Sequence, residues 1–362
     1  MFFRKPIFGL DISDDSIKVV SLKGSFYNPR LLAIGKSSLN PGVVEDGKIL
    51  DKETLKRELL HLIRSPKFGK IKTNKFVSAL PESKSFILIF ELPKNLKKKE
   101  EVEFIKSQAN QNLPFKTEDI YLDFKIKKRD NSKEALLVAV PKTIINDYLD
   151  VFKGLKLQPL AIETESISLG RSLIQNQKET TLIADIGART TNFSIFDRRK
   201  LKFSLTIEIA GNKFTKALAK SLEISFEKAE NLKKEVGLNP GVKEGKISSV
   251  LRREIQPIIL EIRKIEKYFQ KKKNKELEKV ILAGGSAILP LLPEYLTEKL
   301  GKPVVVGDPW AKININILRK KEYFREAFGI NPILYATCIG SALRGLTGNP
   351  ERAGIDLMKR IG

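Results

Sequence analysis

The chain has one cysteine, one histidine and one tryptophan among its 362 residues. A lone thiol, Cys338, can close no internal disulfide, and it reads as a small core residue in an apolar helix. One histidine with one cysteine leaves no zinc set and no Ser-His-Asp or Cys-His pairing. His61 falls in the Leu55–Ile63 stretch without a partner at metal-ligand spacing and reads as a surface or boundary residue. Long hydrophobic runs are also missing. The longest, Val280 to Leu292, is broken by Gly284, Gly285, Ser286 and Pro290, whereas spanning a bilayer takes about 20 residues. The start, Met1-Phe2-Phe3-Arg4-Lys5-Pro6, is basic but no apolar run follows, so it does not read as a signal peptide. Negative charge is in short supply: 66 Lys and Arg face 43 Asp and Glu, a formal net charge of +23. The basic clusters (Lys97-Lys98-Lys99, Lys125 to Arg129, Arg198-Arg199-Lys200, Lys271-Lys272-Lys273, Arg319-Lys320-Lys321) come without an aromatic stacking platform or recognition-helix pattern. The expectation is a Lys-rich surface with no nucleic-acid partner, suited to lie near anionic headgroups.

What is present is a globular balance, 41% hydrophobic and 30% charged, over a length that fits two or three domains. Within it is an internal echo. Ile7-Phe8-Gly9-Leu10-Asp11-Ile12 runs into Ser13-Asp14-Asp15-Ser16 and then Ile17-Lys18-Val19-Val20. About half a chain later, Leu182-Ile183-Ala184-Asp185-Ile186 runs into Gly187-Ala188-Arg189-Thr190-Thr191 and then Asn192-Phe193-Ser194-Ile195-Phe196. Each reads as a buried strand carrying an Asp, a short small-or-polar turn and a second strand. Two hairpins of one design point to a duplicated fold whose lobes face each other.

Elsewhere strands and helices alternate, which indicates α/β architecture. Helices are expected after the N-cap Asp51 and over 98–112, with strands over 75–80, 86–92, 120–127 and 135–140. A helix from 142, a strand over 157–162 and a helix from 166 follow. Beyond the second hairpin come a strand over 200–209, helices over 212–222, 226–236 and 250–269, a charged connection over 270–278 and a strand over 280–283. The last helix is expected over 333–345.

The turn Ala283-Gly284-Gly285-Ser286-Ala287 lies between that strand and an expected helix carrying Leu289, Leu292 and Leu296. Glycines there let backbone approach a ligand, and a helix start offers free N–H groups, although the turn alone is an ordinary strand–helix connection. A tight hairpin turn presents N–H groups to phosphates, and an Asp at a strand end holds Mg2+ through water. Asp11 and Asp185 are placed for that, against the plainer reading of turn residues capping their own backbone. Two such hairpins together with the glycine turn favour a nucleotide site.

Further segments carry a family resemblance: Gln108 to Phe115 with Tyr121-Leu122-Asp123-Phe124, Glu163-Thr164-Glu165 with Arg171, Ala229-Glu230 with Lys233, and Gly340-Ser341-Ala342-Leu343-Arg344-Gly345. With the hairpins and the glycine turn, their order resembles the actin/Hsp70/sugar-kinase superfamily and, within it, the PilM family of type IV pilus assembly adaptors. The resemblance implies a two-lobed actin-like fold, a duplicated ribonuclease H-like unit with a small α+β insert of SHS2 type, also found in the cell-division protein FtsA. The first lobe would comprise 1–77, 142–178 and 333–350, and the insert 78–141 in the order strand, strand, helix, strand, strand. The second lobe would comprise 179–211 and 276–332, with a helical subdomain over 212–275 and a tail over 351–362.

The resemblance also implies ATP and Mg2+. The first phosphate turn would be Ser13 to Ser16, with Asp11 near the metal and Lys18 reaching the phosphates. The second would be Asp185, Gly187, Ala188, Arg189 and Thr190, with Asp185 also near the metal. Gly284, Gly285, Ser286, Glu230 and Lys233 would form the adenosine pocket. Glu163 would be the general base, with Glu165 second. The departure lies in the first turn, where relatives carry Gly and Ser in place of Ser13, Asp14 and Asp15. Two carboxylates would repel a triphosphate unless they point away or bind the metal, and Asp tolerates fewer backbone conformations than Gly. ATP binding is therefore expected to be weak, Mg2+-dependent or lost, with at most slow hydrolysis.

The implied partner is a PilN-like inner-membrane protein, whose N-terminal cytoplasmic peptide would lie in a groove beside the insert. Gln108, Asn112, Leu113, Pro114 and Phe115 are the groove candidates, although Leu113-Pro114-Phe115 equally reads as a helix end packing itself. The chain is expected to be cytoplasmic and peripheral to the membrane, with self-association open. The tail Gly354-Ile355-Asp356-Leu357-Met358-Lys359 resembles the Ile-Asn-Leu-Leu-Pro motif of such partners. Either it competes for the same groove or it is a frayed end. Three alternatives stand beside the adaptor: an FtsA-like membrane-tethered filament, a nucleotide-free scaffold of a related secretion or competence system, and a small-molecule kinase. The filament reading lacks a long linker and an amphipathic anchoring helix. The kinase reading lacks an intact first turn.

Overall fold

The computed structural model describes residues 5–129, 132–176, 178–242, 245–319 and 329–358. Lys320 and Lys321, the 320–328 part of the expected second lobe and residues 359–362 of the tail lie outside the described residues. The chain divides into two compact units, one holding the described residues up to Ser172 and from Pro309 onward, the other Leu173–Asp308.

The first unit runs through β1 (Ile7–Ile12), β2 (Ser16–Ser25), β3 (Asn28–Ser38), the short pair β4 (Val44–Glu45) and β5 (Lys48–Ile49), and α1 (Lys52–Arg64). It continues with β6 (Phe68–Gly69), β7 (Lys75–Leu80), β8 (Phe86–Leu92), α2 (Lys98–Asn112), β9 (Ile120–Arg129) and β10 (Ser132–Pro141). Next come α3 (Lys142–Gly154), β11 (Gln158–Thr164) and α4 (Glu165–Leu173). Six strands form one sheet in the order β11-β7-β1-β2-β3-β6. Every residue of β1 is buried, as a central strand covered on both faces must be. Phe8 stacks on Phe76 at 5.2 Å, and Phe152 of α3 meets Phe76 edge-on at 4.8 Å. Asp51 caps α1 by accepting from Thr54 N at 2.9 Å, and the helix buries Leu55, Leu59 and Leu62.

The insert is smaller than expected. Residues 78–80 do not join it, because β7 pairs in parallel with β1 and β11 in the main sheet. What remains is strand, helix, strand, strand: an antiparallel sheet in the order β8-β10-β9. Ile105, Ala109 and Leu113, on α2 and its C-cap, pack with Leu122 and Leu137.

The second unit contains β12 (Thr180–Ile186), β13 (Thr191–Asp197), β14 (Lys200–Ile207), α5 (Gly211–Leu222), α6 (Phe226–Val236) and α7 (Lys246–Lys273). It ends with β15 (Lys279–Ala283), α8 (Leu292–Leu300) and β16 (Val304–Val306). Its sheet order is β14-β13-β12-β15-β16. Helix α7 runs four residues past the expected end at 269, through Lys271–Lys273, to a left-handed cap at Asn274. The lysines there face the negative end of the helix dipole.

The chain then returns to the first unit earlier than expected. Residues 309–319 belong to it: Asn314 exchanges backbone bonds with Pro29 and Leu31 at 2.9 Å each, and Ile313 and Leu318 are buried with Ile7, Leu22 and Phe68. Helix α9 (Ala336–Gly345) lies on β1. The approach is so close that a Cβ at Gly9 would fall 1.9 Å from the Cys338 carbonyl oxygen. The tail is no frayed end: Ile355 and Leu357 belong to the core of this unit.

Candidate functional site

In the first unit, the β1–β2 turn is closed by Ser13 N donating to Ser16 O at 2.9 Å. The two serine hydroxyls lie 3.3 Å apart. Residues 13–16 have no positive φ, so Asp14 and Asp15 sit there without the strain expected where relatives carry glycine. Asp14 points away from the turn: its carboxylate accepts from Asp46 N at 2.9 Å and Gly47 N at 3.0 Å. The expected repulsion of a phosphate is corrected to that extent. Lys18 Nζ donates to Asp11 Oδ2 at 2.9 Å, both side chains being almost fully buried. Burial alone would push the Lys18 ammonium down, but the charge and hydrogen bond of Asp11 outweigh it and hold the ammonium above its ordinary range. The other oxygen of Asp11, Oδ1, is buried without a donor. Glu165 adds its charge to the same neighbourhood, since it too acts on Lys18.

In the second unit, the 187–190 turn is closed by Gly187 N donating to Thr190 O at 3.0 Å. The first N–H groups of α5 dock on it, Gly211 N to Gly187 O at 3.1 Å and Asn212 N to Ala188 O at 2.8 Å. From α6, the buried Lys233 ammonium donates to Gly211 O at 3.0 Å and Thr215 Oγ1 at 2.8 Å, and pairs with Glu230 at 2.6 Å. Burial lowers the Lys233 pKa, while hydrogen bonds from Lys233 and Thr215 overcome burial and hold Glu230 below the usual carboxylate range. Ser286 Oγ lies 3.5 Å from Gly187 O. Gly284 has φ +80°, and a Cβ there would fall 2.5 Å from Asp185 Oδ1, so only glycine fits. At Gly285 an added Cβ would meet nothing within 4 Å. Thus Asp185, Gly187, Ala188, Glu230, Lys233, Gly284 and Ser286 gather at one junction, with Thr190 closing its turn and Arg189 exposed. The expected helix start at the glycines is corrected: a 3-10 turn covers Gly285–Ile288 and α8 begins only at Leu292. Leu289, ahead of Pro290, is extended, as a residue before proline prefers.

Glu163 is not a general base. It is fully buried, and its Oε1 accepts from Ser168 Oγ at 2.6 Å and Arg171 Nη1 at 2.5 Å. Its Oε2 accepts from Arg171 Nη2 at 2.8 Å and Arg344 Nη1 at 2.7 Å. Burial would raise its pKa, but the two guanidiniums hold it down to about 2. A carboxylate so paired has no proton affinity to offer near neutral pH. Glu165 accepts from Glu82 N at 3.1 Å and, unlike Glu163, shares the Asp11–Lys18 neighbourhood.

At the insert, an open concavity of about 690 Å³ is lined by residues including Leu113, Pro114, Phe115 and Glu118. Phe115 is 38% exposed and meets Phe86 edge-on at 5.4 Å. Leu113 lines the concavity but is mostly spent on the insert's own core. Asn112 Nδ2 donates back to Gln108 O at 2.9 Å, and Gln108 Nε2 reaches Gln111 Oε1 at 3.5 Å. These two amides hold α2 together as much as they face outward.

The family of type IV pilus assembly protein PilM matches residues 9–346. This chain belongs to that family. Its fold is similar to that of a solved PilM–PilN type IV pilus biogenesis complex, with a TM-score of 0.78 at 22% identity over 94% of this chain and 98% of that one. It is also similar to the ethanolamine utilization protein EutJ from Carboxydothermus hydrogenoformans, at TM-score 0.55, 18% identity and coverage of 94% and 90%. A third similarity is to MreB5 of Spiroplasma citri bound to ADP, at TM-score 0.52, 16% identity and coverage of 93% and 94%. The fold of this PilM-family chain is therefore actin-like, and among its described residues no helix is long and apolar enough to cross a membrane.

Three participants escape the sequence reading. Thr215 and Gly211 meet Lys233 only through packing of α5 on α6; the one local sign is Gly211-Asn212 at a helix start. Glu82 is buried and accepts from Ser166 Oγ at 2.7 Å and Ser166 N at 3.2 Å, so it caps α4 from a distant loop.

Proposed function

We propose that this PilM-family chain binds ATP with Mg2+ and serves pilus assembly as an adaptor taking up an extended peptide from a PilN-like inner-membrane protein. The observation that carries the nucleotide half is the second-unit junction, where a hairpin turn, a helix start, the Glu230–Lys233 pair and the glycine turn are bonded together beside open space at Gly285. On the second unit, Gly187, Gly284, Gly285, Ser286, Glu230 and Lys233 would hold the nucleotide. Taken by itself, the first unit offers the unpartnered Asp11 Oδ1 as an acceptor suited to a metal-bound water. Glu165 is the residue left for orienting water, and turnover is slow. The PilN half rests on family membership and on the similarity to a solved PilM–PilN complex. The net charge of +23 suits a place at the inner face of an anionic membrane.

The test is calorimetry of ATP with Mg2+, alone and with an N-terminal PilN-like peptide. Micromolar binding that tightens with peptide supports the proposal, and ATP must then tighten the peptide by the same factor. Loss of both bindings overturns it. A nucleotide-free scaffold is the second reading, favoured by one observation: Lys18 is already engaged by Asp11, and Ser13 and Ser16 by each other. Retained peptide binding without ATP binding would establish it.

A further inference from the structure

Strand β11 is the edge of the six-stranded sheet, and β9 is the edge of the insert's sheet. An edge strand presents backbone groups that need partners. Within the first unit, residues 355–358 supply them. Leu357 N donates to Ile162 O at 2.8 Å, and Ile162 N donates to Asp356 Oδ1 at 3.3 Å. On the other side, Asp356 N donates to Asp123 Oδ2 of β9 at 2.8 Å. Ile355 and Leu357 flank this ladder, 1% and 0% exposed, in a core shared with Ile162, Tyr121, Val138 and Val140. Asp356 itself is only 3% exposed.

The segment occupies this seam without being woven into it. Among the described residues, Leu357 N to Ile162 O is the backbone–backbone bond that ties it to the sheet. The stretch 347–354 leading to it has no helix or strand, and residues 351–353 are exposed. Arg344 of α9 donates to Pro350 O and to the Ile355 carbonyl, so the segment leaves only when those two bonds are given up along with the bond to Ile162. The seam therefore has the attributes of a strand-addition site: an edge, two apolar pockets and a polar group between them.

We propose that the seam between β11 and Asp123 is an acceptor for an extended apolar–Asp/Asn–apolar segment, which residues 355–358 fill as an internal competitor. The middle residue must accept from Ile162 N, which Asp or Asn does through Oδ1 and Lys cannot. The incoming segment is the partner peptide, so this inference rests on the peptide-adaptor reading above. The intramolecular segment sets a threshold that the peptide must overcome.

The test uses a fluorescein-labelled peptide of residues 352–358 in anisotropy titrations. The full chain should bind it about tenfold or more weakly than the Ile355→Ser/Leu357→Ser chain, since a segment docked nine-tenths of the time leaves a tenth of the sites free. An Asp356→Lys version of the peptide should bind neither. Equal affinity for both chains overturns the proposal. Should the double variant not fold, hydrogen exchange on the unaltered chain decides: amides 356–357 should exchange faster when a saturating PilN-like peptide is added, and unchanged exchange overturns the proposal. If the PilN-like peptide binds both chains equally and leaves that exchange unchanged, the competitor idea falls while the adaptor reading stands. If it binds no form while residues 352–358 bind the double variant, the adaptor reading falls and the acceptor seam stands.

Discussion

Replacing Glu163 by Gln separates a structural carboxylate from a catalytic one. The side chain keeps its shape but loses the charge that Arg171 and Arg344 share. Arg344 is fully buried, so its charge would lose its only carboxylate partner among the described groups. Removing one partner of a buried ion pair costs about 3–5 kcal/mol. For a unit of this size each kcal/mol lowers Tm by about 2–4 °C, which puts the expected fall at roughly 6–20 °C. Calorimetric or circular-dichroism melting would read it, beside ATP affinity and turnover measured where the variant is still folded. The reasoning also fixes a pH dependence. The Glu163 pKa is held at about 2 against an ordinary 4.5, so its contribution is fully present above pH 4.5 and drains away as pH falls towards 2. The stability gap between wild type and E163Q should close over that window. A loss below about 1 kcal/mol with abolished turnover and intact ATP binding would refute the assignment and restore Glu163 as the base.

Other substitutions test the remaining site. Asp14→Asn should leave Mg-ATP affinity within about twofold and cost about 1 kcal/mol through its bonds to Asp46 and Gly47; a tenfold gain in calorimetric affinity would mean that Asp14 does repel phosphate. Gly284→Ala, with a Cβ 2.5 Å from Asp185 Oδ1 and Ile186 O at φ +80°, should cost about 1–3 kcal/mol and abolish ATP binding. Melting at wild-type temperature would refute it. Lys233→Met strips the donor from Gly211 O and Thr215 Oγ1. It should weaken ATP about tenfold or more while first-unit peptide affinity, measured without nucleotide, stays unchanged.

Local pattern made the hairpins legible. Burial of β1 and β12 and the polarity of their turns are written in six or seven residues each. What escaped was whatever depends on distant partners. Strand β7 looks like the start of the insert, because its apolar run flows towards β8; only pairing with β1 assigns it to the main sheet. Glu163 looks like a general base because it stands where the relatives it resembles place a water-positioning group. Its fate is set by Arg171 one helix later and Arg344 almost two hundred residues on. Residues 309–319 carry no sign of which sheet they join until Asn314 meets Leu31. At the glycine turn the deciding signal is local, since Pro290 already forbids a helix running straight on from Ser286.

Arg344 connects these observations. One guanidinium donates to Glu163 and to the Ile355 carbonyl, and its Nε donates to Pro350 O at 2.9 Å. The charge hub beneath β11 therefore also holds the start of the 355–358 segment. Arg344→Lys keeps the charge but replaces a planar fork with a point donor that cannot span three acceptors. Because Glu163 keeps Arg171 and a cation, the stability loss should stay below that of E163Q, while the grip on Ile355 disappears. Amides 356–357 should then exchange faster at nearly wild-type Tm, and the labelled 352–358 peptide should bind this variant better than wild type. Faster exchange only in step with global melting would instead mean that the segment is an inseparable part of the core.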